Sequence, residues 1–164
     1  MTDTDPRSYL YQPGLLYPDA ALRVTRDALK NCDDGELYLQ YSATESFGFD
    51  DGRLKLADYS TGSGFGLRGV SGEMTGFSHA NDLSEAAIRR AGETLQLLDP
   101  AKGGQAAPPQ KNNRHLYTDG NPLDLVPFAK KVELCQKIDA AARARDPRVA
   151  QVSASLAGSW TVVE

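Results

Sequence analysis

The 164-residue sequence predicts an α+β fold: a two-layer sandwich in which an antiparallel or mixed sheet of about five strands carries helices on one face. Three observations predict it. Apolar residues recur at every second position over residues 36–49 and again over 152–162, the period of half-buried strands. Three other stretches, opening near Pro18, Asp82 and Pro127, carry apolar residues at helical spacing. The resulting order is helix, four strands, helix, loop, helix, strand, which lacks the βαβ alternation of a parallel nucleotide-binding sheet.

The chain opens with a Pro- and Tyr-rich arm, residues 1–17, and a single α+β domain is expected over 18–164. Pro18 and Asp19 suit a helix start, and Ala21, Leu22, Val24, Ala28 and Leu29 share one side, with Gly35 as the stop. In the strand that follows, Leu37, Leu39, Tyr41, Ala43, Phe47 and Phe49 face one way and Tyr38, Gln40, Ser42, Thr44 and Ser46 the other. Asp50, Asp51 and Gly52 supply hairpin-turn chemistry, and RLKLADYS returns with Leu54 and Leu56 expected inward. FGLRGVS and MTGFSHA read as two further strands around the turn Ser71-Gly72-Glu73.

A capping box from Asp82 to Glu85 introduces the second helix, with Ile88, Ala91, Leu95 and Leu98 inside and an end near Asp99 and Pro100. Residues 101–122, rich in Gly, Pro, Asn and Gln, read as a surface loop. Pro127 opens the third helix, whose expected inner stripe is Phe128, Val132, Cys135, Ile138 and Ala142, ending at Asp146 and Pro147. The last strand turns Val152, Ala154, Leu156, Gly158, Trp160 and Val162 to one face.

Bulk properties narrow the function classes. A net charge of -4, a pI near 5.2 and scattered lysines and arginines argue against nucleic acid as a direct partner. No apolar run approaches the roughly 20 residues that cross a bilayer, and the first residues lack a charged segment followed by an apolar one, so no membrane partner and a cytoplasmic location are expected. Cys32 and Cys135 stand far apart without a CxxC and are expected as buried thiols.

Residues 62–82 hold six of the 15 glycines: Gly62, Gly64, Gly66, Gly69, Gly72 and Gly76. A phosphate loop needs a glycine turn that opens a helix, and no GxxxxGK[ST] is present. The glycines lie instead in strand-like sequence, where a missing side chain lets another backbone approach. Zinc has no local ligand spacing to use: Cys32, Cys135, His79 and His115 are scattered, and there is no HExxH. Neither GxSxG nor a cysteine-protease signature appears. Glu45 falls on the apolar side of its strand, where a charge needs a partner, and Arg68 is the candidate partner.

Several pieces of sequence together resemble a known family. They are Gly35-Glu36-Leu37-Tyr38, Asp51-Gly52-Arg53, Gly64-Phe65-Gly66-Leu67-Arg68, Ser71-Gly72-Glu73, Thr75-Gly76-Phe77, His115-Leu116-Tyr117, Arg148-Val149 and Val152-Ser153-Ala154-Ser155-Leu156. In this combination the chain resembles the N-terminal domain of the TldD/PmbA (TldE) family of cytoplasmic metallopeptidases, also described as modulators of DNA gyrase.

The resemblance implies that an intact protein hydrolyses unfolded peptides in an enclosed site, with a TldE-like partner subunit or as a homo-oligomer. It places the zinc and its HExxxH helix in a C-terminal half, and HExxxH is not found in this sequence. The expectation is therefore a chain inactive alone, with no catalytic or metal-binding residue of its own, that walls the chamber, supports the subunit contact and pairs with an extended peptide. Gly64, Gly66, Arg68, Gly76 and Phe77 are the candidate peptide or partner contacts. The alternative expectation is a stand-alone protein- or peptide-interaction module without enzymatic activity.

Overall fold

The computed structural model describes residues 5–95 and 120–164. A 3-10 turn at Pro6–Tyr9 precedes α1 (Pro18–Ala28), β1 (Asp34–Asp50), β2 (Arg53–Ser71), β3 (Met74–Ala80), α2 (Glu85–Leu95), the single-turn α3 (Pro122–Leu125), α4 (Phe128–Arg145) and β4 (Ser153–Val163). The strands form one sheet in the order β3-β2-β1-β4, so the class is α+β. Among the described residues four strands stand where about five are expected, because RLKLADYS and FGLRGVS are one continuous strand, β2. Thr61, Gly62, Ser63 and Gly64 look like a break in sequence but keep extended backbone.

The turn between β1 and β2 has Asp51 at φ 53° and Gly52 at φ 74°. Two successive left-handed residues give a hairpin turn whose twist matches the flanking strands, which is why Asp-Gly is favoured there. The hydroxyls of Thr44 and Ser60 lie 2.8 Å apart, and a Cβ added to Gly48 would come within 3.2 Å of the Leu56 Cβ. Even-numbered residues of the two strands therefore share a face. Leu54 and Leu56, expected inward, are 38% and 53% exposed. They follow Gly48 and Thr44, opposite to the buried Phe47 and Phe49.

The chain divides into two compact units, Met1–Tyr41 with Gly62–Asp119 and Val162–Glu164, and Ser42–Thr61 with Gly120–Thr161. In the first, Leu10 and Leu16 of the N-terminal arm are buried with Val24 of α1, Leu39, Leu67 and Ile88. α1 and α2 meet so closely that a Cβ on Gly92 would stand 2.6 Å from the Ala28 Cβ. Ser84, not Asp82, caps α2: its Oγ accepts from the Ala87 N–H at 3.2 Å. Leu22 is exposed, on the outer side of α1. Gly35 lies inside β1 instead of ending the helix, and a Cβ there would come 2.6 Å from the Arg68 carbonyl and 2.8 Å from Leu29.

In the second unit, α4 packs on β1 through Phe128 and Phe47, whose rings meet edge to face at 5.4 Å. Its buried line differs from the expected stripe. Cys135 is fully buried, but Phe128 and Ile138 are exposed and Lys131 is buried instead. A cation inside is tolerated only because it meets a carboxylate.

Candidate functional site

The glycine-bearing ribbon belongs to the first unit. β2 and β3 pair antiparallel, with Gly66 opposite His79, Arg68 opposite Phe77 and Gly69 opposite Gly76. Gly64, Gly66 and Gly69 each make room for something in the same chain. A Cβ on Gly64 would meet the Ala80 carbonyl oxygen at 2.7 Å, and one on Gly66 would meet the Phe77 ring at 3.2 Å. Gly69 faces inward, where a Cβ would come 2.8 Å from the Cys32 Sγ and 3.3 Å from Leu29 and Leu95. The N–H groups of the ribbon run along a ladder and do not converge on a point where an anion would sit.

Phe77 is 64% exposed and stacks on His79 at 5.7 Å, so the ribbon presents an aromatic pair to solvent. Arg68 does not reach Glu45. It donates from Nε to Glu36 Oε1 at 2.8 Å and from Nη2 to Asp34 Oδ2 at 3.3 Å, and Glu36 above all, then Asp34, hold its guanidinium proton more firmly than usual. Both of its carboxylate partners belong to its own unit.

The partner of Glu45 is Lys131, in the second unit. The ammonium donates to Glu45 Oε1 at 2.6 Å, to Oε2 at 2.7 Å and to the Leu123 carbonyl at 2.7 Å. It also stands 5.9 Å from the centre of the Phe47 ring. All three donors are satisfied, so the pair closes on itself and offers no free proton donor to a ligand. Sequence reasoning found the carboxylate but missed the lysine, because the two are 86 positions apart and Lys131 falls one place off the apolar stripe. Beside the pair lies a cleft of about 300 Å³ bordered by Leu123, Val126, Leu134 and Leu156.

The zinc chemistry expected of the intact family does not fit these residues. Among the described residues no group of three or more His, Cys, Asp or Glu converges. Cys135 is fully buried, and partial burial, with Asp33 adding to it, pushes the Cys32 thiol up, away from the thiolate a metal needs. His79 is exposed on β3, and His115 lies outside the described residues.

Residues 35–96 match the family model of PmbA/TldA metallopeptidase domain 1, and residues 121–164 that of the PmbA/TldA metallopeptidase central domain. The Metalloprotease TldD homolog of Haemophilus influenzae is 36% identical over 138 residues, taking in 82% of this chain and 29% of that protein. The chain thus spans less than a third of that curated relative. Among solved structures, TldE from Thermococcus kodakarensis superposes with a TM-score of 0.58 at 17% identity, over 88% of this chain and 34% of that one. A proposed modulator of DNA gyrase from Bacteroides thetaiotaomicron does so with a TM-score of 0.57 at 18% identity, over 88% and 36%. At those identities the likeness is one of fold.

Proposed function

The chain belongs to the PmbA/TldA metallopeptidase family, and on that premise we propose that it is the non-catalytic N-terminal part of a peptidase that cuts unstructured peptides. The observation that carries this reading is a family match without the family's metal motif. The two histidines are followed by Ala80 and Leu116, so neither begins an HExxxH. In the family that motif holds the zinc, which polarises the scissile carbonyl and activates water. What this chain contributes is shape: a wall of the reaction chamber, contact with a TldE-like subunit or a second copy, and a strand edge for the substrate.

For the last role the relevant edge is β3, which ends the sheet on one side among the described residues. An extended peptide laid along it would gain main-chain hydrogen bonds, with Phe77 as an apolar contact and the Arg68 cluster beside it. Gly64 and Gly66 serve this indirectly, because they leave room for the Ala80 carbonyl and the Phe77 ring of β3, while Gly76 stands opposite Gly69 in the ladder. A cytoplasmic location fits such a role.

The test is proteolysis in two arms. With an unstructured peptide and zinc, the 164-residue chain alone leaves the peptide intact, and addition of a family polypeptide that carries HExxxH yields cleavage. Cleavage by the chain alone overturns the reading. In a separate titration with a catalytically inert extended peptide, amide shifts fall on residues 74–80; shifts absent there and present elsewhere remove the strand-pairing role.

A further inference from the structure

We infer that Leu123 is a built-in ligand, held in a one-residue seat formed by Gly158, Glu45 and Lys131. When Leu123 gives way, the seat takes an aliphatic residue of an extended peptide by its side chain and its main-chain carbonyl. This deepens the peptide-contact part of the reading above, on which it rests for the kind of ligand, but it needs neither cleavage nor the β3 edge. Every residue of the seat belongs to the second unit. The Leu123 side chain is 6% exposed and meets β4 where that strand has no side chain of its own: a Cβ on Gly158 would stand 2.8 Å from Leu123 Cδ2. The Leu123 carbonyl accepts from Lys131 Nζ at 2.7 Å.

The segment that delivers Leu123 is lightly held. Among residues 120–128 Leu123 alone is buried. α3 is a single turn closed by its own side chains: the Leu123 N–H donates to Asn121 Oδ1 and Asn121 Nδ2 donates to Asp124 Oδ2, both at 3.0 Å. Those bonds travel with the turn, so withdrawing Leu123 gives up the contacts of the seat and not the turn itself. Because Leu123 is tethered beside the seat, it competes at a high effective concentration that a free residue must exceed. The seat therefore shows little affinity until the leucine side chain is removed.

The chemistry of the seat selects its ligand. With Leu123 in place the ammonium spends all three N–H groups, two on Glu45 and one on the Leu123 carbonyl. Withdrawal bares one of them, and a buried donor needs an acceptor. A neutral carbonyl answers that need. A carboxylate does not, because Glu45 already balances the lysine charge at 2.6 Å, and a cationic side chain meets an ammonium. Beside the donor, Gly158, Leu134 and Leu156 border the cleft of about 300 Å³, which gives an aliphatic side chain apolar surface to cover.

The probe is N-acetyl-leucine methylamide, with its glycine and lysine analogues for comparison. Each is titrated into the 164-residue chain and into L123A while main-chain amide signals are followed. L123A binds the leucine probe about tenfold or more tighter than the parent does, with shifts at Lys131 and at residues 156–159, and neither analogue binds. Adding G158A to L123A abolishes binding, because the new methyl fills the floor of the seat. Should L123A not fold, the parent carries the test: excess leucine probe speeds cleavage within residues 121–126 by an added protease about tenfold, and an unchanged rate overturns the inference. Equal affinity in parent and L123A overturns it, as does equal binding of the glycine analogue or an absence of shifts at 156–159. Shifts confined to residues 74–80 remove the seat and leave the β3 role standing, and shifts confined to the seat do the reverse. None of these outcomes reads cleavage by the family's own zinc site, so this inference and the peptidase reading fail separately.

Discussion

At Glu45 the strand puts a carboxylate among Ala43, Phe47 and Phe49, and the fold answers it with one lysine from α4. Both side chains are about nine-tenths buried, 9% and 12% exposed. Desolvating two ions consumes most of what their attraction returns, so the pair adds little net stability while making each member hard to remove. K131M leaves Glu45 buried and uncompensated, and should cost about 3–5 kcal/mol. Replacing both residues by apolar ones, E45L with K131M, should recover most of that loss, because no orphan charge remains. Urea unfolding followed through the only tryptophan, Trp160, reads the second unit directly. A single variant as stable as the parent would show that water reaches the pair and the burial is not real.

Helices and strands differ in how openly the sequence declares them. β1 and β4 alternate strictly, and the faces read from Leu39, Ala43, Phe47 and Leu156 are those observed. β2 is harder: its faces depend on the register after the turn, and an alternating strand has no internal mark of which face is inside, so Leu54 and Leu56 are misassigned by one position. α4 mixes Lys131 into its buried line and leaves Phe128, Leu134 and Ile138 exposed, so no single apolar stripe marks its inner face. Of the candidate site, the ribbon glycines are legible as places of close approach, but their neighbours are not, since Cys32, Phe77 and Ala80 come from elements that only folding brings near. The packing of α1 on α2 belongs to the same class. Gly92 looks like a weak point of a helix, where alanine ordinarily improves helicity by about 1 kcal/mol. Here the added methyl would sit 2.6 Å from the Ala28 Cβ and 3.2 Å from its Cα. Because backbone must yield, G92A should destabilise the first unit by about 1–3 kcal/mol despite its helix propensity. Thermal unfolding by circular dichroism decides it, a raised midpoint contradicting the packing.

Over the whole molecule the charges are arranged to satisfy one another. Arg7 pairs with Glu164, Arg23 and Arg89 with Glu85, Arg68 with Glu36 and Asp34, Arg143 with Asp51 and Asp139, and Arg148 with Asp146. Most of these pairs are exposed and each contributes little to stability, but together they hold six arginines of the described residues against carboxylates. Nucleic-acid binding draws its affinity from releasing counterions as lysines and arginines meet the backbone, so it needs unpaired positive charge gathered on one face. With a net charge of -4 and these arginines already engaged, a phosphate would have to displace a carboxylate to bind any of them. The chain should therefore pass through a heparin column at roughly 0.15 M salt, where charges beyond about 8 Å are screened. It should also leave duplex DNA mobility unchanged. An effect on DNA topology by a family member would then act through a protein or peptide intermediary. Retention on heparin that weakens steeply with added salt would show a cationic surface that the pairing argument overlooks, and direct DNA contact would return as a possible role.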